Sequence, residues 1–313
     1  MADKRPPTPD PIKRILRQEA GFGCCKCGLP ILDYHHIVEY AVRPHFDPAD
    51  MMVLCPNHHR EATVGAMQEP EQRRYKAQPA NRKRGYVSGL LKVNQTICSV
   101  RVGSVELIYP GVKFSVDDDQ LMALSIGPDQ NIQVSLTAYD QGGTLSCLIE
   151  NNEWISGDPA PWDVEAGYHT LRISNKLRDI ALSIDARRYP IAVQAKLWKH
   201  GTAIRISEQG VTIRTKSQNL GFSNIALFGA SLEMDSRTGS VTLGVAPGLP
   251  HLTLISARTP RERLWQAQAL MNATAGFEVA PPPACGRGGR GVRASDVRAA
   301  TARARGAPPA RPR

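Results

Sequence analysis

The sequence predicts an α+β protein with a small front module, a mainly β domain and a disordered tail. Four of the seven cysteines and five of the eight histidines lie between positions 24 and 59. Short alternating apolar runs begin after position 95, and the last 35 residues have almost no large apolar side chains. A chain of 313 residues is long enough for two domains that each bury a core.

The front module is assigned to residues 1–95. Residues 11–20 carry three apolar side chains at helical spacing, so a short amphipathic helix is expected to lead into a Gly-Phe-Gly turn. The cysteine and histidine block follows this turn. Residues 70–94 are basic and are predicted to be largely helical.

The mainly β domain is assigned to residues 96–250. Its apolar runs are separated by Gly, Asn, Asp and Pro clusters, at the spacing of about 8 to 12 residues that is typical of all-β domains. No fixed-length repeat is visible, so a sandwich, a barrel and a solenoid all stay open. Residues 251–278 are expected to be a helical segment. The Ala/Gly/Pro/Arg-rich residues 279–313 are expected to be disordered.

The net charge of +10 is concentrated at the two ends of the chain. Residues 1–95 carry +5 and residues 279–313 carry +7, whereas residues 96–278 carry −2. Such ends attract nucleic acid, but also any other acidic partner. No stretch approaches the roughly 18 to 20 apolar residues of a membrane span, and residues 1–10 lack the apolar core of an export signal. We therefore expect a cytoplasmic protein with no membrane partner.

Two short motifs predict a metal site. Cys24 and Cys27 form one pair, and Cys55 and His58 form a second pair with the same two-residue spacing. Two such pairs can close a tetrahedral site around zinc, and a closed four-ligand site stabilises a small module without doing chemistry. The odd cysteine count and the histidines favour a metal site over a disulfide framework. The spacing also allows a ligand set that includes Cys25.

Two histidine doublets accompany these motifs. In a helix that begins near Pro56, His58 shares the face of the cysteine before it, whereas His59 is rotated by about 100°. One helical turn can therefore serve two metals. The other doublet, His35 and His36, lies between the two ligand pairs.

Residues 21–63, about one seventh of the chain, resemble the HNH nucleases, the ββα-metal endonucleases, in the subgroup with a zinc-stapled motif. The resemblance rests on CxxC, HHI and LCxxHH in this order and at compatible spacing. The segment is also similar to the nuclease module of bacterial defence and restriction effectors, in which a GYVSGLL-type segment follows. The resemblance implies that the front module has the zinc-stapled ββα-metal fold.

The resemblance also implies roles for individual residues. His36 matches the general base that deprotonates the attacking water. His35 and His59 match ligands of a catalytic divalent ion, Mg²⁺ or another, which holds the scissile phosphate. Asp50 occupies the position of the family's central asparagine, and Thr63 occupies the position at which some members have a further metal ligand.

Basic side chains in and after the histidine block are expected to contact the DNA backbone, because phosphates require charge but little geometry. The candidates are Arg60, Arg73, Arg74, Lys76, Arg82, Lys83 and Arg84.

These observations lead to a metal-dependent DNA endonuclease, with zinc as structural and Mg²⁺ or another divalent ion as catalytic cofactor. Its β domain would recognise a target, sense a signal or mediate assembly, in restriction or phage defence. The alternatives are a non-catalytic zinc-containing DNA-binding or scaffold protein with a decayed nuclease site, and a nuclease acting on RNA or modified DNA. Double-strand cutting by one active site would favour a homo-oligomer.

Overall fold

A computed structural model describes most of the chain up to residue 255. The described residues are 6–93, 99–102, 105–108, 112–117, 119–126, 132–157, 161–223, 226–228, 230–238, 240–245 and 253–255.

The front of the chain combines helices with one β-hairpin. Its elements are α1 Asp10–Glu19, β1 Asp33–His36, a 3₁₀ helix Pro48–Asp50, β2 Met51–Leu54, α2 Pro56–Thr63, α3 Glu69–Ala77 and α4 Ala80–Arg84. Strands β1 and β2 pair antiparallel, and α2 follows β2 after a single residue. The expected N-terminal helix and the helix beginning at Pro56 are both confirmed.

The helical prediction for residues 70–94 is confirmed for α3 and α4 but is wrong from Val87 to Leu90, which form strand β3. This strand pairs antiparallel with β10, Glu153–Ser156, and Gly89 lies opposite Trp154. A Cβ at Gly89 would lie 2.9 Å from the indole Nε1 of Trp154. Because Gly89 has no side chain, the Trp154 indole can lie across strand β3. A helix at this position would not require a glycine there.

The rest of the described chain consists of strands. They are β4 Ser99–Val102, β5 Val105–Ile108, β6 Val112–Val116, β7 Asp119–Ile126, β8 Ile132–Tyr139, β9 Leu145–Glu150, β10 Glu153–Ser156, β11 Asp163–Ala166, β12 Thr170–Lys176, β13 Asp179–Asp185, β14 Ile191–Lys199, β15 Thr202–Ser207, β16 Gly210–Arg214, β17 Asn219–Phe222, β18 Ala226–Phe228, β19 Ala230–Met234, β20 Val241–Val245 and β21 Thr253–Ile255.

Within the described residues these strands form two large sheets. One has the order β20-β19-β6-β7-β8-β9-β10-β3. The other has the order β11-β12-β13-β14-β4-β5-β18-β21, and β15, β16 and β17 extend from β14. Most neighbouring strands are antiparallel, and β4 pairs with β14, β5 with β18 and β6 with β19 in parallel. The described part of the chain is thus mixed but strand-rich.

The buried apolar residues that the structure describes form two cores. Strands β8 and β14 alternate buried and half-buried residues with a period of two, and both sheets contribute to one apolar cluster. Phe22, Val87, Leu91 and Val93 also belong to this cluster. A second core lies around the hairpin, and all four residues of β2 are buried in it.

Two predicted segments lie near the end of the described chain. The helical expectation for residues 251–278 does not hold at Thr253–Ile255, which pair with β18 as a strand. This sequence, Thr-Leu-Ile, is rich in the β-branched residues that strands favour. Residues 256–278 and the tail 279–313 lie outside the described residues. In the described part of the chain, no helix has the length and apolar character needed to cross a membrane.

Candidate metal centre and histidine pair

The four predicted ligands converge in one cluster. Cys24, Cys27, Cys55 and His58 have their ligand atoms within 4.8 Å of one another. His58 Nδ1 lies 3.3 Å from the Sγ atoms of Cys24 and Cys55, and the Sγ atoms of Cys27 and Cys55 are 3.9 Å apart. Three soft sulfurs and one imidazole nitrogen make a set that could hold a metal ion.

The spacing of these atoms fits a tetrahedral ion. Zinc–sulfur bonds of about 2.3 Å and zinc–nitrogen bonds of about 2.0–2.1 Å imply ligand-to-ligand distances of roughly 3.5–3.8 Å. The observed separations of 3.3 and 3.9 Å lie close to these values. Burial and the neighbouring thiols of Cys24 and Cys55 raise the pKa of Cys27 well above its usual range. A cation among these sulfurs would reverse that effect, because metal binding favours the thiolate.

The first cysteine pair lies in a tight loop that the sequence builds locally. The backbone N–H of Cys24 donates to the carbonyl of Leu29 at 2.8 Å, and that of Gly28 donates to the carbonyl of Cys24 at 2.8 Å. Gly28 has φ +84°, a conformation that side chains rarely adopt. Asn81 of α4, only 3% exposed, donates from Nδ2 to the carbonyl of Gly28 at 2.9 Å. The loop is therefore attached to α4.

The second pair depends on the junction of β2 and α2. Cys55 is the N-cap residue of α2 and keeps extended backbone angles, and Pro56 begins the helix. This junction turns Cys55 and His58 toward the same point. On the outer side, His58 Nε2 lies 4.0 Å from Oε1 of Glu61, and the other carboxylate oxygen of Glu61 accepts from Lys26 at 2.7 Å. The carboxylate is thus near His58 but does not hydrogen-bond to its ring.

Cys25 does not belong to the ligand set. It is 3% exposed, and its backbone N–H donates to the carbonyl of Val53 at 3.0 Å. Burial raises the pKa of its thiol to about 11. The ligand choice that the sequence left open is thus decided by the fold, which brings Cys24 and not Cys25 into the cluster with Cys27, Cys55 and His58. None of the five cysteines that the structure describes forms a disulfide.

A second group forms around His35 and His59. Their rings meet edge to face with centroids 5.3 Å apart. His35 Nε2 lies 3.1 Å from Oε1 of Gln72, which is buried in α3. His59 Nδ1 lies 4.0 Å from a carboxylate oxygen of Asp33. Because side chains alternate along β1, Asp33 and His35 share one face of the strand.

His36 has a different environment from its neighbour. It is 4% exposed, and its Nε2 lies 2.9 Å from the carbonyl oxygen of His45. Its ring packs edge-on against the rings of Tyr40, His45 and Phe46 at 4.9 to 5.9 Å. The two adjacent histidines of β1 therefore hydrogen-bond to different segments, as the pleat of a regular strand requires.

Asp50 ties the loop between the strands to α3. Its carboxylate binds the guanidinium of Arg43 and that of Arg73, the latter at 3.0 Å. The hydrogen bonds from Arg73 and Arg43 hold the pKa of Asp50 below its usual value. Its backbone carbonyl accepts from the N–H of Ile37 at 2.8 Å. Asp50 thus contacts the residue that directly follows His36.

The seven predicted DNA-contacting residues divide into two sets. Four of them bind partners within the protein. Arg73 pairs with Glu69 and Asp50, Arg74 with Glu71, and Lys76 with Glu19. Arg82 donates to backbone carbonyls of α1. The other three are exposed, as Arg73, Arg74 and Arg82 also are: Arg60, Lys83 and Arg84. A surface groove of about 770 Å³ is lined by Arg73, Lys76, Arg82 and Lys83, together with Glu19.

Sequence reasoning missed two residues of the histidine group. Asp33 lies two positions before His35, so the alternation of a strand was a signal that both face the same way. No sequence signal pointed to Gln72, because it arrives from α3 through tertiary packing. A smaller cavity of about 460 Å³ beside His59 is lined in part by Asp33, Tyr34 and Lys13.

Comparison of the chain with models of known families, with curated proteins and with solved structures finds no match.

Proposed function

We propose that this chain is a metal-dependent endonuclease of the HNH type that hydrolyses DNA phosphodiester bonds. One observation carries the proposal: successive residues of α2 serve two different groups. His58 belongs to the Cys/His cluster, and His59 meets His35 of the hairpin at 5.3 Å. This is the division between a structural and a catalytic metal that the zinc-stapled HNH resemblance implies.

The Cys/His cluster is proposed to hold structural zinc. Its three sulfurs and one nitrogen complete a tetrahedron, so no position stays open for substrate. Its ligands come from the cysteine loop, the end of β2 and the start of α2. Zinc would therefore stabilise the junction that orients His59 toward His35.

The second metal site is proposed at His35 and His59, with the carboxylate of Asp33 close to His59. A divalent ion, Mg²⁺ or another, supplies a Lewis acid for the scissile phosphate and for the leaving oxygen when it is bound there. The carboxylate suits Mg²⁺ or Mn²⁺, whereas the two imidazoles suit later first-row ions such as Zn²⁺ or Ni²⁺. Gln72 holds the ring of His35 through its 3.1 Å contact.

His36 is proposed as the general base. A carbonyl oxygen only accepts hydrogen bonds, so the contact with His45 assigns the hydrogen of the neutral ring to Nε2. Nδ1 then carries the lone pair that takes a proton from the attacking water. Asp50 supports this position, because its backbone carbonyl accepts from the N–H of Ile37, the residue after His36.

Cleavage of supercoiled plasmid DNA in Mg²⁺ or Mn²⁺ tests the proposal. His36→Ala is expected to slow nicking by about 10²- to 10⁴-fold, the usual contribution of a general base, with zinc content unchanged. The matched control is His169→Ala, which removes an imidazole that the β-rich part holds against the carbonyl of Lys92. Equal rates for His36→Ala and the unaltered chain would refute the assignment of the base.

The second candidate is a non-catalytic zinc-containing DNA-binding or scaffold protein. Two observations favour it: His36 is only 4% exposed, and Asp50 stands where the family has asparagine and is held by two arginines. This candidate predicts full zinc content and DNA binding, but no nicking by the unaltered chain with either ion. The same plasmid assay therefore separates the two functions.

A further inference from the structure

A buried polar chain links the hairpin to the strand-rich part of the protein. Arg17 of α1 donates from Nε and Nη2 to the two carboxylate oxygens of Asp163 in β11, at 2.9 and 2.5 Å. The same guanidinium donates from Nη1 to the hydroxyl of Tyr34 in β1 at 2.5 Å. The side chains of Arg17 and Asp163 are only 9% and 6% exposed. Two elements from the front of the chain and one from the strand-rich part thus meet at one guanidinium.

The contacts of Arg17 are specific and directional. Two parallel N–H···O bonds to one carboxylate fix the plane of the guanidinium, and this fixes where Nη1 points. Burial by itself would lower the pKa of Arg17, but the Asp163 hydrogen bond, together with Tyr34, raises it overall. The side chain therefore stays charged, and loss of either partner would leave a buried donor unpaired.

Further contacts hold the same two surfaces together. Gln18 donates from Nε2 to the carbonyl of Trp162 at 2.7 Å, and the guanidinium of Arg14 lies 4.5 Å from the centre of the Trp162 ring. Ile31, just before β1, forms a parallel bridge with Ala166. Strand β11 is thus attached on both sides of the Arg17 contact.

The point of attachment on β1 matters for the proposed chemistry. Tyr34 lies between Asp33 and His35, and side chains alternate along the strand. Anchoring the hydroxyl of Tyr34 on one face therefore fixes the rotation of the strand that carries Asp33 and His35 on the other. His35 in turn contacts His59 of α2.

We propose that Asp163 acts through Arg17 and Tyr34 as a positioning residue for His35, so that the β-rich part of the chain controls the metal-ligand pair His35–His59. This inference rests on the proposed nuclease function. It assigns to the β-rich part a direct role in the geometry of the site, in addition to any binding role of its own.

Mn²⁺ binding and plasmid nicking by the full chain test the inference, with the Mn²⁺ signal assigned by its loss in His59→Ala. Tyr34→Phe removes one oxygen, and Asp163→Asn removes one charge. Each is expected to weaken Mn²⁺ binding by about 10- to 100-fold, the usual effect of residues that orient metal ligands, and to lower kcat at unchanged zinc content and DNA affinity. The double variant should bind Mn²⁺ with about the same affinity as the single variant that binds it less tightly, because both substitutions act through one guanidinium.

The matched control is Glu165→Gln on the same strand. Its carboxylate lies 4.0 Å from Arg17 and is 50% exposed, so Mn²⁺ affinity and kcat should stay at their original values. If Tyr34→Phe, which retains the Arg17–Asp163 pair, alters only the melting temperature, the inference is overturned even if Asp163→Asn fails to fold. If the unaltered chain shows neither Mn²⁺ binding nor nicking, the proposed function fails, and this inference fails with it.

Discussion

The rings of His35 and His59 meet edge to face at 5.3 Å, although one comes from a strand and the other from a helix. The hairpin brings them together, because α2 follows β2 after one residue and β2 pairs with β1. The same short helix contributes His58 to the Cys/His cluster. Two adjacent histidines therefore belong to two different groups.

This arrangement predicts that substitutions of the neighbouring residues His58 and His59 affect different properties of the protein. His58→Ala should lower the metal content of the purified protein and the stability of the front part, because it removes a ligand of the closed cluster. His59→Ala should retain that metal and the fold, but should lose at least about 10²-fold in nicking rate, since it removes a proposed ligand of the catalytic ion. Elemental analysis and plasmid nicking measure the two effects. The assignment of the groups is wrong if both variants lose the same metal.

Cysteine substitutions test the ligand set in the same way. Cys27→Ala should abolish binding of the structural ion and unfold the front part, because binding energies of about 10–16 kcal/mol are typical for such zinc sites. Cys25→Ala is the matched control, since Cys25 is buried beside the cluster but outside it. It should keep the full metal content. Mass spectrometry under native conditions gives the metal count, and loss of the ion in Cys25→Ala alone would contradict the ligand set.

The salt dependence of DNA binding should distinguish exposed from engaged cations. Lys83 is exposed on α4, whereas Lys76 is 18% exposed and pairs with Glu19 at 2.6 Å. Lys83→Ala is expected to reduce the slope of log K against log salt by about one, and Lys76→Ala is expected to change it little. Fluorescence anisotropy with a labelled duplex, without added divalent ions, measures both slopes. A larger change in Lys76→Ala would show that its ion pair opens on DNA.

The β-rich part should lose stability in acid through Asp117. Its carboxylate accepts from the backbone N–H and hydroxyl of Ser236 and from His200 at 2.7 to 2.9 Å. The backbone hydrogen bond from Ser236 and the contact with His200 lower the pKa of Asp117 to about 2. Since the unfolded value is about 3.9, this stabilisation is complete above about pH 5 and is lost progressively as the pH falls through about 2.

Urea unfolding of the unaltered chain and of Asp117→Asn over this pH range measures the effect. The difference in free energy of unfolding between the two proteins should be largest near neutral pH and should close in acid. Carbon-13 NMR titration of the Asp117 carboxyl gives its pKa directly. A difference that stays constant down to pH 2 would show that the carboxylate does not act through its charge.

Much of the metal cluster was predictable because its information is local. Two pairs with two-residue spacing place their ligands within one turn each, whatever the rest of the chain does. The helix at Pro56 separates His58 from His59 by the same local rule. The alternation of the β-rich region likewise depends on a period of two that can be read along one strand.

Other features required the tertiary structure. Whether Cys25 or Cys24 faces the cluster depends on the hydrogen bond from Cys25 to Val53 of β2. The strand at Val87–Leu90 forms because β10 presents Trp154 to Gly89.

The amino-acid order alone determined that two short cysteine and histidine motifs bring metal-ligand side chains together and that the chain is rich in strands, because both follow from spacings of two to four residues. The three-dimensional fold decided which neighbours surround His35 and His36, and it joined Arg17 to Asp163 across 146 positions. The physical reason is that a buried ion pair forms only when packing has removed water from both partners. No local pattern along the chain records that event.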